Sequence, residues 1–258
     1  MRWRRDSRLN GLLVLIAMLP AWELVSRAEL VNPLFFPAMT KIIRSFFELS
    51  ITGAIPLQIV LSLKRAAAGY FLAAAVFIPL GIAMGLWRRI YDIFELVIEL
   101  ARPIPSPVIV PVAMLFFGIG DEMKIFVIFF SCAWPILLNT FDGVRGIDPV
   151  LLNTARTFGL SRWRTISRVV LPATSPQIMT GMRISLAITL ILVVISEMVG
   201  STDGIGYFIL DSQRRFKVSQ MYAGMLALAI LGYALNQLFL VFYNWVMAWH
   251  KGLTGQEG

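Results

Sequence analysis

The chain has 258 residues, of which 58% are hydrophobic and 15% charged, and its formal net charge is +8. Its mean hydropathy is +0.76, whereas soluble domains are about 45–50% apolar and about 25% charged. A soluble core cannot absorb several apolar runs of about 20 residues, but each such run can cross a bilayer as a helix. The composition therefore excludes an ordinary soluble domain and predicts an all-α, polytopic membrane protein.

Six apolar runs have the length of a membrane span. They cover residues 9–25, 66–86, 97–117, 123–141, 178–199 and 221–248. The first run follows several arginines, as in a signal peptide, but Trp22 and Glu23 stand where a small-residue cleavage site is needed. We therefore expect a retained first span and about six transmembrane helices.

Prolines are concentrated in the third run. The stretch 102–111, RPIPSPVIVP, contains four of them, and a proline removes a helical hydrogen bond and clashes with the preceding turn. A broken or kinked third span is therefore predicted. Such a break is tolerated where neighbouring helices or water satisfy the freed carbonyls, so it reflects either irregular packing or the border of a solute path.

The basic residues of the connections predict the orientation, because Lys and Arg accumulate on the cytoplasmic side. With a cytoplasmic N-terminus, 14 of the 23 basic residues lie inside, including the dense cluster in the connection 143–177. Both termini and this connection are then cytoplasmic, in a multi-pass protein of the plasma membrane. Since the clusters flank spans, the positive charge predicts contact with lipid and no nucleic-acid binding.

No enzyme motif is recognisable in the sequence. Cys132 and His250 are the only residues of their types, so a disulfide within the chain and a Cys/His metal site are not expected. Metalloprotease, serine-hydrolase and phosphate-loop spacings are also missing. The sequence thus predicts no catalytic residue and no metal or cofactor site, and any energy source must lie elsewhere.

Few ionisable residues fall within the predicted spans. Arg183 and Glu197 share the fifth span, but 14 residues of helix place them about 21 Å apart. We expect both to be interfacial or interhelical anchors rather than solute contacts, although intramembrane charges are also typical of transport paths. With so few buried charges, an ion-coupled carrier is disfavoured.

Two connections have a recognisable character. Residues 38–52 alternate apolar and charged side chains in the pattern of a short amphipathic helix on the outer membrane surface. The connection 200–220 has glycines at 200, 204 and 206, which predict a tight turn or bent backbone. No strand precedes these glycines, so a nucleotide site is not expected there.

The connection between the fourth and fifth predicted spans is the most informative one. A first short helix is expected after Asp148, and Gly159 interrupts it. Ser161 can cap a second helix, which closes at Leu171 and Pro172. We expect two short helices at an angle along the inner surface, with a glycine joint that brings two backbones close. The alternative is an ordinary interfacial helix whose arginines contact anionic headgroups.

The spacing within this connection resembles the EAA loop of ABC importer permeases. The matching residues are Asn153, Thr154, Ala155, Gly159, Val169, Leu171 and Pro172. The stretches 102–149 and 196–209 also resemble those of the branch that imports nitrate, sulfonates, taurine and related solutes. The resemblance covers most of residues 60–245, but Asn153 stands where the family usually has Glu, and Thr154 where it has Ala.

This resemblance implies the type I ABC importer permease fold with a cytoplasmic coupling helix. Residues 1–258 would form one transmembrane domain, with a core at about 60–245 and a coupling loop at about 143–177. By this resemblance, the residues that couple the permease to an ATPase would be Asn153, Thr154, Ala155 and Gly159. Leu171 and Pro172 would end the second helix of the loop.

The resemblance also implies partners. Cytoplasmic ABC ATPase subunits would bind ATP and Mg, so this chain would need no cofactor of its own and would hydrolyse nothing. An extracytoplasmic solute-binding protein would deliver a small, anionic solute. A second permease copy, as a homodimer, or a similar partner permease would enclose the path. Two other functions fit the residues alone: an ATPase-independent carrier or channel, and a membrane scaffold whose basic loop recruits a soluble protein.

Overall fold

The computed structural model describes residues 17–248, and within this range the regular elements are all helices. They are α1 (17–27), α2 (Met39–Ile51), α3 (Ala54–Leu86), α4 (Arg88–Ala101), α5 (Ile109–Phe117), α6 (Asp121–Arg145), α7 (Pro149–Thr157), α8 (Arg162–Thr165), α9 (Leu171–Val199), α10 (Ile205–Arg214) and α11 (Val218–Val246). A 3₁₀ turn, Ser106–Val108, precedes α5, and a π-helical segment, Ile166–Val170, joins α8 to α9. The all-α prediction is confirmed.

Four helices in the described range are each long and apolar enough to cross a membrane. They are α3, α6, the continuous helix Arg162–Val199 and α11. The bent pair Arg88–Ala101 and Ser106–Phe117 can supply a fifth span. Of the predicted first span, 9–25, residues 17–25 are described and helical, and residues 9–16 lie outside the described range. His250 also lies outside it.

The boundaries of two predicted spans are wrong by a large margin. The second span begins at Ala54 rather than at residue 66, and the fifth begins at Arg162 rather than at residue 178. Both extensions contain polar residues, which a hydropathy criterion counts as connection. They remain helical because they pack against other helices or reach beyond the membrane.

The prolines break the third span, as predicted. Helix α4 ends at Ala101, and helical structure resumes only at Ser106. Between them Pro103 and Pro105 cannot donate backbone hydrogen bonds and disfavour helical geometry in the residues that precede them. The two helical segments consequently meet at an angle of 83°.

Glycines bring α3 and α6 into close contact. A Cβ atom at any of three α3 glycines would lie 2.5–2.8 Å from a side chain of α6. The pairs are Gly69 with Ile128, Gly81 with Thr140 and Gly85 with Val144. Small residues allow such approach, and van der Waals packing is the main force between helices in lipid. Residue numbers rise together along both helices, so α3 and α6 are parallel.

Helix α9 packs against the same region of α6 in the opposite direction. Gly143 lies against Gln177, and Gly181 lies against the carbonyl oxygen of Pro135. The buried cluster at the centre of the bundle combines α3, α5, α6 and α9. It includes Tyr70, Ala73, Val110, Val127, Ile128, Cys132, Ile136 and Val193.

The bundle has two ends. At one end lie the beginnings of α3 and α6 and the end of α9, and we call it the network end, after the charged side chains that meet there around Arg65. At the other end lie the opposite termini of these helices together with α7, and we call it the loop end. Helix α10 lies at the network end, where Ile205 and Ile209 pack on Ile55 of α3. The connection 200–220 is therefore not a loop throughout, although Gly204 has the bent backbone predicted, with φ of +97°.

Candidate functional site

A charged network that is buried at its centre, Arg65 and Glu197, joins four parts of the chain at the network end. Arg65 of α3, only 5% exposed, donates from Nη1 to Oε1 of Glu197 at 2.9 Å and from Nε to Oδ1 of Asp121 at 2.7 Å. Its Nη2 donates to the carboxylate of Asp203 in the turn after α9. One guanidinium thus ties α3 to α6, to α9 and to the chain that leads into α10.

The Glu197 carboxylate, 0% exposed, has partners beyond Arg65. The Ser62 hydroxyl lies 2.8 Å from both of its oxygens, and the backbone N–H of Gly206 donates to Oε2 at 3.0 Å. Ser62 in turn accepts from the N–H of Ile205 at 2.8 Å. A buried carboxylate is tolerated only when such hydrogen bonds and an opposite charge offset its lost hydration. Both conditions are met here.

Gly204 fixes the turn that carries this network. Its φ of +97° and ψ of 162° lie in a region open essentially to glycine alone, and a Cβ atom there would overlap the Glu197 carboxylate. Its N–H donates to Oε1 of Gln58 at 2.6 Å. The turn is therefore clamped onto α3 by backbone hydrogen bonds as well as by charge.

Lys124 adds a second buried cation on α6. Its Nζ donates to the carbonyl oxygens of Ile119 and Gly120 at 3.1 and 3.2 Å, and it lies 3.9 Å from Asp121. Within the described residues, no set of acidic, His or Cys side chains is arranged to hold a metal ion. We interpret the network as a rigid joint between helices.

The prediction for Glu197 is confirmed, since it anchors one helix to another. Arg183, for which the same was expected, is not an interhelical anchor, because its exposed side chain forms no hydrogen bond or ion pair with another described residue. Arg65 was missed, because the second span was expected to begin one residue after it. Lys124 was missed as well, although it lies inside the predicted fourth span. Had the second helix been predicted to begin at Ala54, Arg65 would lie about three turns inside it. A charged residue at that place in a span would have indicated Arg65 as the partner of Glu197.

At the opposite, loop end of the bundle, α7 packs mainly on the π-helical segment. Leu152 and Ile166 pack on a buried cluster made from the ends of α3 and α6 and the π-helical segment. The cluster contains Ile82, Val144, Ile147 and Val170. Ala155 is also buried, at 3% exposed. Helix α7 is therefore fixed to the bundle rather than free on its surface.

Local signals set the bounds of α7 as predicted. The side chain of Asp148 accepts from the N–H of Val150 at 2.8 Å, which caps the helix start. At the other end, Leu160 N–H donates to Ala155 and Gly159 N–H donates to Arg156. This is the Schellman arrangement, with Gly159 in the left-handed conformation at φ of +64°.

The reason for glycine at 159 differs from the prediction. A Cβ atom there would meet nothing within 4 Å, so Gly159 does not bring two backbones together. Its left-handed φ is what other side chains rarely adopt. After it, Ser161 accepts from the N–H of Arg164 at 3.4 Å, which confirms the predicted cap of the second helix.

The predicted end of that second helix is wrong. Leu171 and Pro172 do not terminate it, because α8, the π-helical segment and α9 form one continuous helix, Arg162–Val199. Pro172 has no N–H for the ordinary helical bond, and the five π-helical residues, Ile166–Val170, immediately precede Leu171. Such a bulge accommodates an interrupted hydrogen-bond ladder.

The surface of the loop end carries large exposed aromatic side chains. Phe158 is 79% exposed and Trp163 is 76% exposed, on either side of the Gly159 joint. Arg156, Arg162 and Arg164 are exposed nearby. Exposed aromatic residues beside arginine are typical of surfaces that bind another protein. We call residues 149–165 the docking surface.

The other residues singled out from the sequence have mixed positions on this surface. Asn153 and Thr154 are exposed, whereas Ala155 is a packing residue. The Oδ1 atom of Asn153 accepts from Nη1 of Arg156 at 3.3 Å. Asn153 thus forms a hydrogen bond with a charged donor on the same helix.

Comparison with known proteins identifies the family. Residues 77–249 match the family described as the inner membrane component of binding-protein-dependent transport systems. The chain belongs to this family. Its fold is that of the type I ABC importer permeases, since the chain superposes on the MetNI methionine ABC transporter with a TM-score of 0.61. That match covers 81% of this chain and 98% of the other at 19% identity.

Several permease relatives match nearly the whole chain. The putative aliphatic sulfonates transport permease protein SsuC of Bacillus subtilis is 28% identical over 98% of this chain and 91% of its own length. The taurine transport system permease protein TauC of Escherichia coli is 28% identical over 96% and 93%. A putative ABC transporter permease protein of Methanocaldococcus jannaschii is 34% identical over 93% of both. These relatives are transport components and not enzymes.

In this permease a single helix connects the two ends described above. Arg162–Val199 has 38 residues, which at about 1.5 Å per residue is about 57 Å of helix. It carries Trp163 of the docking surface at its beginning and Glu197 of the buried network near its end. The docking surface and the network thus share one helix, with the π-helical segment Ile166–Val170 between them.

Proposed function

We propose that this chain is the permease subunit of an ATP-driven ABC importer and couples closure of a separate ATPase to alternating access. The observation that carries the proposal is the exposed docking surface, which is built on the same helix that enters the buried network. The loop end is then cytoplasmic, both termini are cytoplasmic, and the network end faces outward.

The docking surface suits a groove in a soluble ATPase. Phe158 and Trp163 offer aromatic anchors, and the surrounding arginines provide charge complementarity to an acidic rim. Asn153, Thr154 and Gly159 are exposed beside these anchors, while Ala155 holds α7 against the bundle. ATP and Mg would be bound by the ATPase, and this chain would supply the surface that moves.

Transmission depends on stiffness. Leu152 of α7 packs on the buried cluster that joins α3, α6 and the π-helical segment, so a push on α7 is passed to this cluster. The π-helical segment and the Pro103–Pro107 break are the places where the bundle departs from regular helix. We propose that alternating access occurs by rigid-helix movement that bends at these two places.

For the solute, we propose a small oxyanion, with organic sulfonates as the first class to test. Relatives that match nearly the full chain are named for aliphatic sulfonates and taurine, and others for bicarbonate and nitrate. These solutes share a compact negative charge. A solute-binding protein would deliver it at the network end, and a second permease copy would complete the path.

The ATPase partnership can be tested by affinity purification of the tagged chain from its native membranes in mild detergent. The double substitution Phe158→Ala with Trp163→Ala should remove an ATPase that copurifies with the native chain. The matched control, Ile93→Ala with Leu96→Ala, removes two equally exposed apolar side chains from α4 and should retain the ATPase. Retention by the docking-surface variant, or a native chain that purifies without any ATPase, contradicts the proposal.

Transport can be tested with the purified complex in proteoliposomes. Radiolabelled taurine, ethanesulfonate and nitrate serve as probes, together with the binding protein encoded beside the ATPase. In transporters whose ATPase faces the vesicle lumen, uptake of at least one probe should require ATP in the lumen. Uptake without ATP, driven only by an imposed proton gradient, would support the secondary-carrier alternative instead.

A further inference from the structure

The middle of α9 exposes a face on which small and polar side chains surround one isoleucine, Ile184. Thr180, Arg183 and Ala187 are exposed and lie one turn apart on the helix. Gln177 and Ile184 are exposed beside them. We call these five residues the open face of α9.

Exposed faces of the other spans look different. Those of α3 and α11 present large apolar side chains, as expected for contact with lipid. They include Phe71, Leu72, Val76, Met225, Ile230, Leu238, Val241 and Phe242. A face that carries an arginine, a glutamine and a threonine is costly against acyl chains. The open face is therefore suited to water rather than to lipid.

Arg183 lies deep in the membrane region. Gly181 packs on the Pro135 carbonyl, ten residues before α6 ends at Arg145, so this level is about 15 Å from the loop end. Glu197 is 14 residues further along α9, about 21 Å towards the network end. The guanidinium therefore starts near the middle of a hydrocarbon layer of about 30 Å.

Within residues 17–248, Arg183 has no ion pair and no hydrogen bond to its side chain, unlike the buried Arg65. An unpaired arginine at this depth is unfavourable in contact with lipid. The unpaired guanidinium of Arg183 therefore gives the open face of α9 a positive charge.

We propose that the open face of α9 lines the solute path and that Arg183 contacts the oxyanion during its passage. Rapid passage requires contacts that attract the solute without holding it. A single guanidinium on an open face provides such a contact, whereas a closed cage of donors would trap the anion. The inference rests on the proposed function, because it adds a specificity-determining residue to that path.

The first test needs no knowledge of the solute. The variants Thr180→Cys and Ala187→Cys are made in a Cys132→Ala background. Each is treated with two methanethiosulfonate reagents, one bearing a sulfonate and one bearing a trimethylammonium group. The rate of cysteine modification by each reagent is divided by the rate at which that reagent modifies free mercaptoethanol. Both positions should react, and the anionic reagent should be favoured by about tenfold or more because the local potential concentrates anions. Adding Arg183→Gln should reduce that preference to about twofold or less.

Controls separate the open face from lipid. Ile230→Cys and Leu238→Cys on α11 should react with neither reagent, although both positions are exposed. Absence of reaction at 180 and 187, or an equal rate for both charges, overturns the inference. So does a charge preference that survives Arg183→Gln.

The second test measures uptake by the complete transporter in proteoliposomes. Arg183→Gln should lower the initial rate of taurine or ethanesulfonate uptake at least tenfold, and Arg183→Lys should recover part of it because the charge is kept. ATPase copurification and melting temperature should match the native chain. Normal ATP-driven uptake by Arg183→Gln overturns the inference while the proposed function stands, whereas no ATP-driven uptake by the native complex contradicts the proposed function. A loss of uptake accompanied by an equal loss of stability would show a structural role instead.

Discussion

Arg65 and Glu197 form a buried ion pair of 2.9 Å, although 132 residues separate them in the chain. Arg65 lies on α3, which ends at Leu86 at the loop end, and Glu197 lies near the end of the helix that begins there at Arg162. The helix that contains α9 runs from the docking surface to the network end. There the ion pair joins it to α3, which runs back to the loop end. Movement of one helix without the other would separate two buried charges.

Removing one member of this pair should be more damaging than removing both. Arg65→Met leaves the Glu197 carboxylate buried without its cation, which costs about 3–5 kcal/mol. We expect a clearly lower melting temperature, measured as the loss of the monodisperse peak of a fluorescent fusion after heating in detergent. The double variant Arg65→Met with Glu197→Leu should recover part of the loss.

A matched surface pair provides the control. Arg44 and Glu48 on α2 are joined at the same 2.7 Å as Arg65 and Asp121, but both are exposed. Because exposed ion pairs contribute little to stability, Arg44→Met should leave the melting temperature unchanged. Equal effects of Arg65→Met and Arg44→Met would contradict the importance of burial.

Gly204 should tolerate alanine less well than a glycine with similar backbone geometry. Gly118 has φ of +69° and ψ of −160°, close to those of Gly204, so alanine at either position meets strain of about 1–3 kcal/mol. Only at Gly204 does the new Cβ overlap the Glu197 carboxylate; at Gly118 nothing lies within 4 Å.

We therefore expect Gly204→Ala to lower the melting temperature by several degrees more than Gly118→Ala. It should also expose the turn to proteases, since the carboxylate and the backbone cannot both keep their places. If the two variants melt together and resist digestion equally, the turn is not clamped by Glu197 in the way described.

Hydropathy, the prolines of residues 102–111, and the signals at Asp148 and Gly159 were sufficient to predict the all-helical architecture, the broken third span and the first helix of the loop. They failed where polar residues continue a helix. Lys64 and Arg65 interrupt an apolar run and were counted as connection, and the segment 162–170 was treated as a separate surface helix. In both cases long-range packing keeps the helix intact, and no local pattern contains that information.

The buried network was predictable only in part. Glu197 was recognised as an anchor because a carboxylate inside a span needs a partner. Its partners Ser62 and Arg65 come from α3, more than 130 residues away, and only the packing of α3 against α9 brings them together. The reason for glycine at 204 is likewise invisible in sequence, because the atom that excludes a Cβ belongs to Glu197.

Close packing between α6 and α9 gives a further prediction. A Cβ atom at Gly181 would lie 2.6 Å from the Pro135 carbonyl oxygen, and that oxygen also accepts from Nδ2 of Asn139 at 2.8 Å. Gly181→Ala should push the helices apart and destabilise the protein by about 1–3 kcal/mol, the range for overpacking. A thermal scan in detergent would detect this loss.

Gly232 on α11 is the appropriate comparison. Its nearest neighbour would be the Leu190 Cδ1 atom at 3.4 Å, an ordinary contact, and alanine is favoured over glycine within a helix by about 0.5–1 kcal/mol. Gly232→Ala should therefore leave the melting temperature equal or raise it. The reverse order of the two variants would show that the contact of Gly181 with Pro135 is looser than described.

The joint at Gly159 permits a prediction that separates backbone geometry from side-chain chemistry. Gly159 has a φ of +64° and open space around it. The residues that this position accepts are therefore limited by backbone conformation and not by steric contact with neighbours. Asparagine enters the left-handed region readily, whereas a β-branched residue there is a genuine outlier. Gly159→Asn should keep the angle between α7 and α8, and Gly159→Val should change it.

The change in angle displaces Phe158 relative to Trp163, while the buried cluster around Val144 and Val170 still holds the loop end together. We therefore expect Gly159→Val to insert and to melt within a few degrees of the native chain, yet to lose the copurifying ATPase. Gly159→Asn should retain it. Equal retention by both variants would mean that the docking surface tolerates any backbone at this joint, and that the two aromatic anchors do not act as one rigid unit.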